Sequence, residues 1–174
     1  HDVAPNPYDG TWLSLTKDTV AVANYPLGYD LPIETAPAYV AADAVFVFDP
    51  ESPDCLPGTR VPVGELLDLE RVGFDSLNFE EGTDDLYDWG HSNGVWVDAD
   101  GGVVVSLRNQ DAIVKVRDNE LVWILANHDN WRLPWSLDLL EPLGALEWPY
   151  HQHSPQLSPE MDGRTLMMDN GFTR

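Results

Sequence analysis

The sequence has very little cysteine: Cys55 is alone among 174 residues. A single thiol forms no disulfide within its own chain, so the fold must be held together by its core. Hydrophobic residues make up 43% of the chain and aromatic residues 10%, which excludes a disordered acidic tail. A chain of this length is expected to form one domain with a substantial apolar core.

Basic residues are also scarce. Nine Lys and Arg oppose thirty Asp and Glu, which gives a formal net charge of −21. A phosphate backbone needs a basic protein face, and nine scattered cations do not supply one, so nucleic acid is excluded as a partner. No run approaches the roughly 20 apolar residues that cross a bilayer, so no membrane span is expected.

The clearest pattern in the chain is a series of short alternating apolar segments between 93 and 126. Asp, Asn and Gly separate these segments at intervals typical of tight turns, which predicts an antiparallel meander of four strands. A meander of this size corresponds to one blade of a β-propeller. The predicted strands are 94–97, 103–108, 112–117 and 121–126.

The remaining strand signals are weaker. Strands are predicted at 11–16, 21–24 and 44–50, divided by a loop that contains Pro26, Pro32 and Pro37, and a last strand is predicted within 164–170. Short helical turns are expected within 63–70 and 136–140. These segments predict an all-β chain, an incomplete β-propeller of roughly three to four blades.

The whole chain, 1–174, is expected to be one partial propeller domain that is truncated at both ends. Residues 128–150 form a long aromatic insertion, of a kind that commonly covers the binding face of a sheet scaffold. Trp131 and Trp135 lie in it and are candidates for an aryl pocket. Trp96 and Trp123, on alternating strands, are expected in the core.

Four polar clusters stand beside strand ends, at 88–94, 106–110, 151–156 and 169–174. The loops at one end of a propeller converge, so residues far apart in sequence can face one cavity. A cationic pocket inside a very acidic protein suggests an anionic ligand. The residues expected in this pocket are His91, Asn93, Arg108, His153, Asn170 and Arg174.

Five short motifs occur in these clusters and in the segment between them. They are H-x-N at 91–93, R-x-Q at 108–110, W-I-L-x-x-H-x-x-W at 123–131, Q-H at 152–153 and D-N-G-x-x-R at 169–174. Their order and spacing resemble the arylsulfate sulfotransferase family, whose members do not use the nucleotide sulfate donor. The resemblance covers 88–174 well and the first fifty residues more weakly.

The resemblance implies a six-bladed β-propeller in an exported, periplasmic or extracellular, bacterial or archaeal enzyme. Such enzymes transfer a sulfuryl group from an aryl sulfate ester to a phenol through a covalent sulfohistidine. No cofactor or metal is implied. The expected partners are the small aryl sulfate and phenol and the remainder of the propeller chain, and a homo-oligomer is left open.

The resemblance assigns catalytic roles to His91, His153 and Arg174. The guanidinium of Arg174 would bind two sulfate oxygens in a planar fork. His91 and His153 would donate to the third oxygen or protonate the phenolate leaving group. Asn93 and Asn170 would bind substrate or hold these imidazoles in one tautomer, and Arg108 would bind substrate or pair with an acid.

Two residues depart from the family pattern. Asn109 stands where several relatives have histidine, and Gly94 stands where many have serine. The nucleophilic histidine of the family lies downstream of D-N-G-x-x-R, so it is expected beyond this chain, and the fragment alone is expected to be inactive.

Two other functions fit the same residues. His91, His151 and His153 with nearby carboxylates suit a metal-dependent propeller hydrolase or lactonase. A non-catalytic propeller, serving as a binding or assembly module, would keep the pocket without a nucleophile. Among smaller features, Asp98 and Asp100 suit either a hairpin turn or calcium, with the turn preferred, and His128 is expected to be a structural loop residue.

Overall fold

The structure of the chain is a computed structural model. It describes residues 3–29, 33–52, 57–73, 76–80, 82–83, 85–157 and 164–171, so Arg174 lies outside the described residues.

The described part is all-β, with 3₁₀ turns in place of α-helices, and no helix in it is long and apolar enough to cross a membrane. The strands are β1 (Val3–Pro5), β2 (Trp12–Pro26), β3 (Thr35–Phe48), β4 (Pro57–Val61), β5 (Leu86–Tyr87), β6 (Ser92–Val97), β7 (Val103–Leu107), β8 (Ala112–Arg117), β9 (Glu120–Ala126), β10 (His153–Leu157) and β11 (Thr165–Met168).

These strands form three sheets in the described ranges. The first has the order β1-β2-β3-β4, antiparallel, with β5 added parallel to β3; the second has the order β6-β7-β8-β9; the third pairs β10 with β11. None of the three closes on itself. The all-β prediction is confirmed, and the propeller fragment remains a prediction.

The four-stranded sheet confirms the predicted meander. Each of its strands matches a predicted one to within two residues at either end, and β8 has the predicted bounds. The corners are built from the expected residue types, because Asp111, Asp118, Asn119 and Gly101 all have positive φ. The side chains of β7 and β8 are buried on both faces apart from the last residue of β8, so the middle of this sheet lies in the interior of the protein.

The N-terminal region differs from the prediction. The segments expected at 11–16 and 21–24 belong to one fifteen-residue strand, β2, which pairs along most of its length with the fourteen-residue β3. Pro37, expected in a loop, lies inside β3. It is tolerated there because the register shifts between Val22 and Tyr25 opposite it, and a bulge does not need the proline to donate a ladder hydrogen bond.

The expected helical turns are shorter than predicted. Within 63–70 only a 3₁₀ turn forms, at Gly64–Leu66, and the insertion contains one at Trp135–Leu137. The insertion lies along the outer edge of the four-stranded sheet, where the amide of Ile124 donates to the carbonyl of Asp138 at 2.7 Å. This contact partly covers the edge of β9.

The third sheet packs closely against the four-stranded sheet at Gly94. A Cβ atom at Gly94 would lie 2.6 Å from the amide nitrogen of Ser154 and 2.8 Å from its Cα. β10 therefore approaches β6 more closely than any side chain at position 94 would allow. This explains the glycine at a position where serine is common in the family that the sequence resembles.

We predict that Gly94→Ala destabilises the protein by about 1–3 kcal/mol, because the new methyl group must push backbone atoms of β10 away from β6. Gly144→Ala is the matched control, since a Cβ at Gly144 meets nothing within 4 Å. Urea unfolding of both variants measures the difference. Equal stability of the two variants would show that β10 does not approach β6 in this way.

Candidate functional site

His91 stands at the entrance to β6, with its backbone in the left-handed region at φ 49°. Its side chain is about one third exposed, and its Nδ1 contacts Oδ2 of Asp88. Its carbonyl accepts the amide of Arg108 at 3.4 Å, so the start of β6 lies against the corner between β7 and β8.

Asp88 is buried and is bound on several sides. Oδ1 accepts the ammonium of Lys17 at 2.7 Å, and the backbone carbonyl accepts Nδ2 of Asn109 at 2.6 Å. Burial of the Asp88 carboxyl opposes its ionisation, but the hydrogen bonds from His91 and Lys17 outweigh it and lower its pKa to about 2. The carboxylate is therefore an anion at any ordinary pH.

The corner at Arg108–Gln110 fixes the segment before β6. The amide of Asn109 donates to the carbonyl of Gly90 at 3.0 Å, and Nε2 of Gln110 donates to the carbonyl of Trp89 at 2.8 Å. Both corner side chains are buried. Asn109, which departs from the family pattern, thus binds backbone and orients this segment.

The structure brings His91, Arg108 and His153 together. His153 begins β10 and is half-buried, and its pKa is lowered by burial first and then by the electrostatic influence of Arg108, His91 and His151. Arg108 donates from Nη1 to Oδ1 of Asn109 at 2.9 Å. Four basic side chains from three stretches of sequence therefore lie within electrostatic range of one another.

His151 and Gln152, which precede β10, bind the corner between β7 and β8 next to this cluster. His151 is buried, and its amide donates to Oδ1 of Asp111 at 2.7 Å. Gln152 is fully buried, and its Nε2 donates to the carbonyl of Ala112 at 2.8 Å. These bonds join the start of β10 to the corner between β7 and β8.

Asn93 also binds the start of β10. Its Nδ2 donates to the carbonyl of Gln152 at 3.0 Å, whereas its buried Oδ1 has no hydrogen-bond partner among the described residues. Nδ1 of His91 contacts Asp88, and the substrate or tautomer role expected of Asn93 remains a prediction.

Asn170 is exposed and follows β11, whose Met168 pairs with His153. Asn170 therefore lies just beyond the end of the third sheet at which His153 begins. Oδ1 of Asp169 ties this end to the rest of the chain by accepting the amides of Tyr150 and Gly171, both within 3.0 Å.

Trp131 and Trp135 lie away from the cluster formed by His91, Arg108 and His153. They follow β9, whereas His91 precedes β6 at the other edge of the four-stranded sheet. Trp131 is buried under the guanidinium of Arg71, which is 4.1 Å from the ring centroid, and both line a cavity of about 640 Å³. Nε1 of Trp135 donates to the carbonyl of Leu66 at 2.8 Å. The lining of this cavity does not include the imidazoles, so it is separate from the basic cluster.

The carboxylates of Asp98 and Asp100 both bind the ammonium of Lys115. The two carboxylates are therefore already paired with a cation of the chain, which favours the hairpin turn over a calcium site. Within the described ranges, no three His, Cys, Asp or Glu side chains come close enough together to hold a metal ion.

Sequence reasoning missed three charged residues around His91 and the start of β6: Lys17, Asp43 and Asp88. Asp43 is buried on β3, its pKa is raised by burial, and its Oδ1 accepts the amide of Ser92 at 2.9 Å. Asp88 stands three residues before His91 in one of the polar clusters, and that spacing is a signal that could have found it. Nothing local in the sequence identifies Lys17 or Asp43, which come from the N-terminal sheet.

Two comparisons bear on this arrangement. A family model described as Arylsulfotransferase (ASST) matches residues 40–174. The chain is also similar to the arylsulfate sulfotransferase AssT of Escherichia coli O6:H1 (strain CFT073), with 29% identity over an alignment of 104 residues that covers 49% of this chain. The aligned part spans 17% of the length of that relative.

We predict that Arg108→Gln raises the pKa of His153 towards its ordinary value, because one of the positive neighbours that lower it is removed. Arg117→Gln is the matched control, since it makes the same charge change at an exposed position on β8 where the guanidinium pairs with Asp100. NMR titration of the His153 ring protons measures both. Equal titration of the two variants would show that Arg108 and His153 do not share a site.

Proposed function

Because the chain belongs to the arylsulfotransferase family, we propose that it supplies part of the site in which a sulfuryl group passes from an aryl sulfate ester to a phenolic acceptor. The observation that carries the proposal is the convergence of Arg108, His91 and His153 in a chain of net charge −21. A local excess of positive charge in such a chain is suited to an anionic group.

The barrier to the proposed transfer is lowered mainly by electrostatic stabilisation of the transition state. A sulfuryl group in transfer resembles a phosphoryl group, with charge spread over its equatorial oxygens, so donors aimed at those oxygens lower the barrier. A guanidinium matches two such oxygens in its plane. Arg108 is within the described cluster, and Arg174 is proposed from the D-N-G-x-x-R motif.

The imidazoles supply the remaining donors and the proton transfers. The lowered pKa of His153 keeps its ring neutral at pH 7, and a neutral ring can donate one N–H to a sulfate oxygen or accept the proton of the phenol. His91, held by Asp88, would protonate the departing phenolate. Asn93 and Asn170 are proposed to bind the substrate from either side of these rings.

Several further features rest on the family resemblance. We place the nucleophile in a histidine downstream of D-N-G-x-x-R, which would carry the sulfuryl group between donor and acceptor. The described sheets would then be part of a six-bladed propeller, completed by the remainder of the chain. The site of action is proposed to be the periplasm or the extracellular space.

We predict that the complete natural chain releases 4-nitrophenol from 4-nitrophenyl sulfate in the presence of a phenol and gains the mass of a sulfuryl group on histidine. His91→Gln and His153→Gln should each lower kcat/KM by about 10²–10⁴-fold, the usual range for loss of a general acid or base. His128→Gln is the matched control, because Nε2 of His128 contacts the carbonyl of Leu140 in the insertion. Absorbance and intact mass measure the outcome.

Two results would contradict the proposal. Binding of the aryl sulfate with neither phenol release nor a mass gain would indicate a non-catalytic module. Phenol release that stops on addition of EDTA and returns with a divalent metal would indicate a metal-dependent hydrolase.

A further inference from the structure

The two oxygens of the Asp88 carboxylate have different partners. Oδ2 contacts Nδ1 of His91, and Oδ1 accepts the ammonium of Lys17 at 2.7 Å. The first partner belongs to the basic cluster, and the second comes from β2 in the N-terminal sheet. Asp88 therefore connects a candidate catalytic imidazole to a different sheet.

Both ends of the Asp88 residue are fixed. Its amide donates to the carbonyl of Asn78 at 2.8 Å, and its carbonyl accepts Nδ2 of Asn109 at 2.6 Å. The side chain is only 8% exposed. With its backbone bound on both sides and its oxygens engaged separately, the carboxylate has little freedom to rotate away from His91.

Lys17 is held in turn by other acids. Its side chain is 18% exposed and also binds Glu80, and its register partner on β3 is Asp43. Burial of the ammonium opposes its charge, but the acids around it outweigh burial and raise the pKa of Lys17. Lys17, one of the two lysines of the chain, thus binds the Asp88 oxygen that does not contact His91.

We propose that Asp88 is a positioning residue for His91, which holds the imidazole proton on Nδ1 and fixes the plane of the ring, and that Lys17 holds Asp88 in place. An ionised carboxylate only accepts hydrogen bonds, so the nitrogen that faces it must carry the proton. The proton transfer proposed below uses the other ring nitrogen, Nε2.

The consequence for sulfuryl transfer rests on the proposed function. When the ring is an imidazolium, the Nε2–H bond breaks and an O–H bond forms on the departing phenolate, which leaves as a neutral phenol. The ring becomes neutral with its proton on Nδ1, and the Asp88 carboxylate stays ionised throughout. Without Asp88 the ring can turn or change tautomer and present the wrong atom to the leaving group.

The direct test is the tautomer of His91 in the complete natural chain labelled with ¹⁵N-histidine, assigned by comparison with His91→Gln. Long-range ¹H–¹⁵N correlation, at a pH where the ring is neutral, is expected to show Nδ1–H in the wild type. In Asp88→Asn the pattern should become a mixture or shift to Nε2–H, because an amide can donate to Nδ1. Asp85→Asn is the matched control, three residues away and exposed, and it should leave the wild-type pattern unchanged.

The kinetic test follows from the same variants. Asp88→Asn should lower kcat by between about 10-fold and the 10⁴-fold upper limit for general acid–base catalysis, with a smaller change in KM. Asp88→Glu should recover part of the loss. Lys17→Met should raise the pKa of Asp88, measured from its ¹³C carboxyl shift.

Three outcomes would overturn the inference: an Nε2–H tautomer in the wild type, an unchanged tautomer in Asp88→Asn, or a loss of kcat that equals the loss of folded protein. If Asp88→Asn does not fold, the wild-type tautomer still decides. If the wild type transfers no sulfuryl group, the proposed function fails, but the tautomer measurement still tests the positioning role.

Discussion

The site depends on buried carboxylates that compensate for a cluster of bases. Removing charge from water is costly, and the cost is met only when each buried ion has a partner in good geometry. Asp88 meets this condition with Lys17 and His91 on its two oxygens, whereas Asp43, with the amide of Ser92 on one oxygen, has its pKa raised by burial. The start of β6, where His91 stands, is therefore bound by Asp43 of β3 and by Asp88 of the segment between β5 and β6.

Close backbone packing at glycine residues brings the third sheet to the start of β6. Gly94 lets β10 approach β6 closely, and Gly90 lies so near Asp43 that a Cβ there would meet its carboxylate at 2.0 Å. His153 begins the strand that Gly94 admits. The close approach of β10 to β6, and of Asp43 to the segment before His91, thus depends on these two glycines.

The sequence predicts the four-stranded sheet well because its local signals agree. Alternation, length and turn residues all indicate the same strands, as at β8.

The long pairing of β2 with β3 is not predictable in this way, because Pro37 indicates a loop unless the bulge opposite it is known. Hydrogen bonds join three of the polar clusters, those at 88–94, 106–110 and 151–156. Within them Asp88 is hard to select among thirty acids, and Lys17 lies 71 residues away from it. Trp131 and Trp135 are candidates for the pocket because they lie in the insertion, and only the order of the strands shows that they follow the opposite edge of the sheet.

The net charge of the chain and the charge of the site act over different distances. At physiological ionic strength the Debye length is about 8 Å, so most of the thirty acids are screened from an anion that has reached the cluster. The basic side chains that influence one another are Arg108, His91, His151 and His153, and Asp88, the acid that contacts His91, already has its two oxygens bound. In the proposed function, an anion at this cluster would therefore experience the local bases more strongly than the total of −21. An acidic chain can favour an anion at such a cluster only if the acids beside the cluster have cationic partners of their own. In this structure Lys17 is such a partner for Asp88.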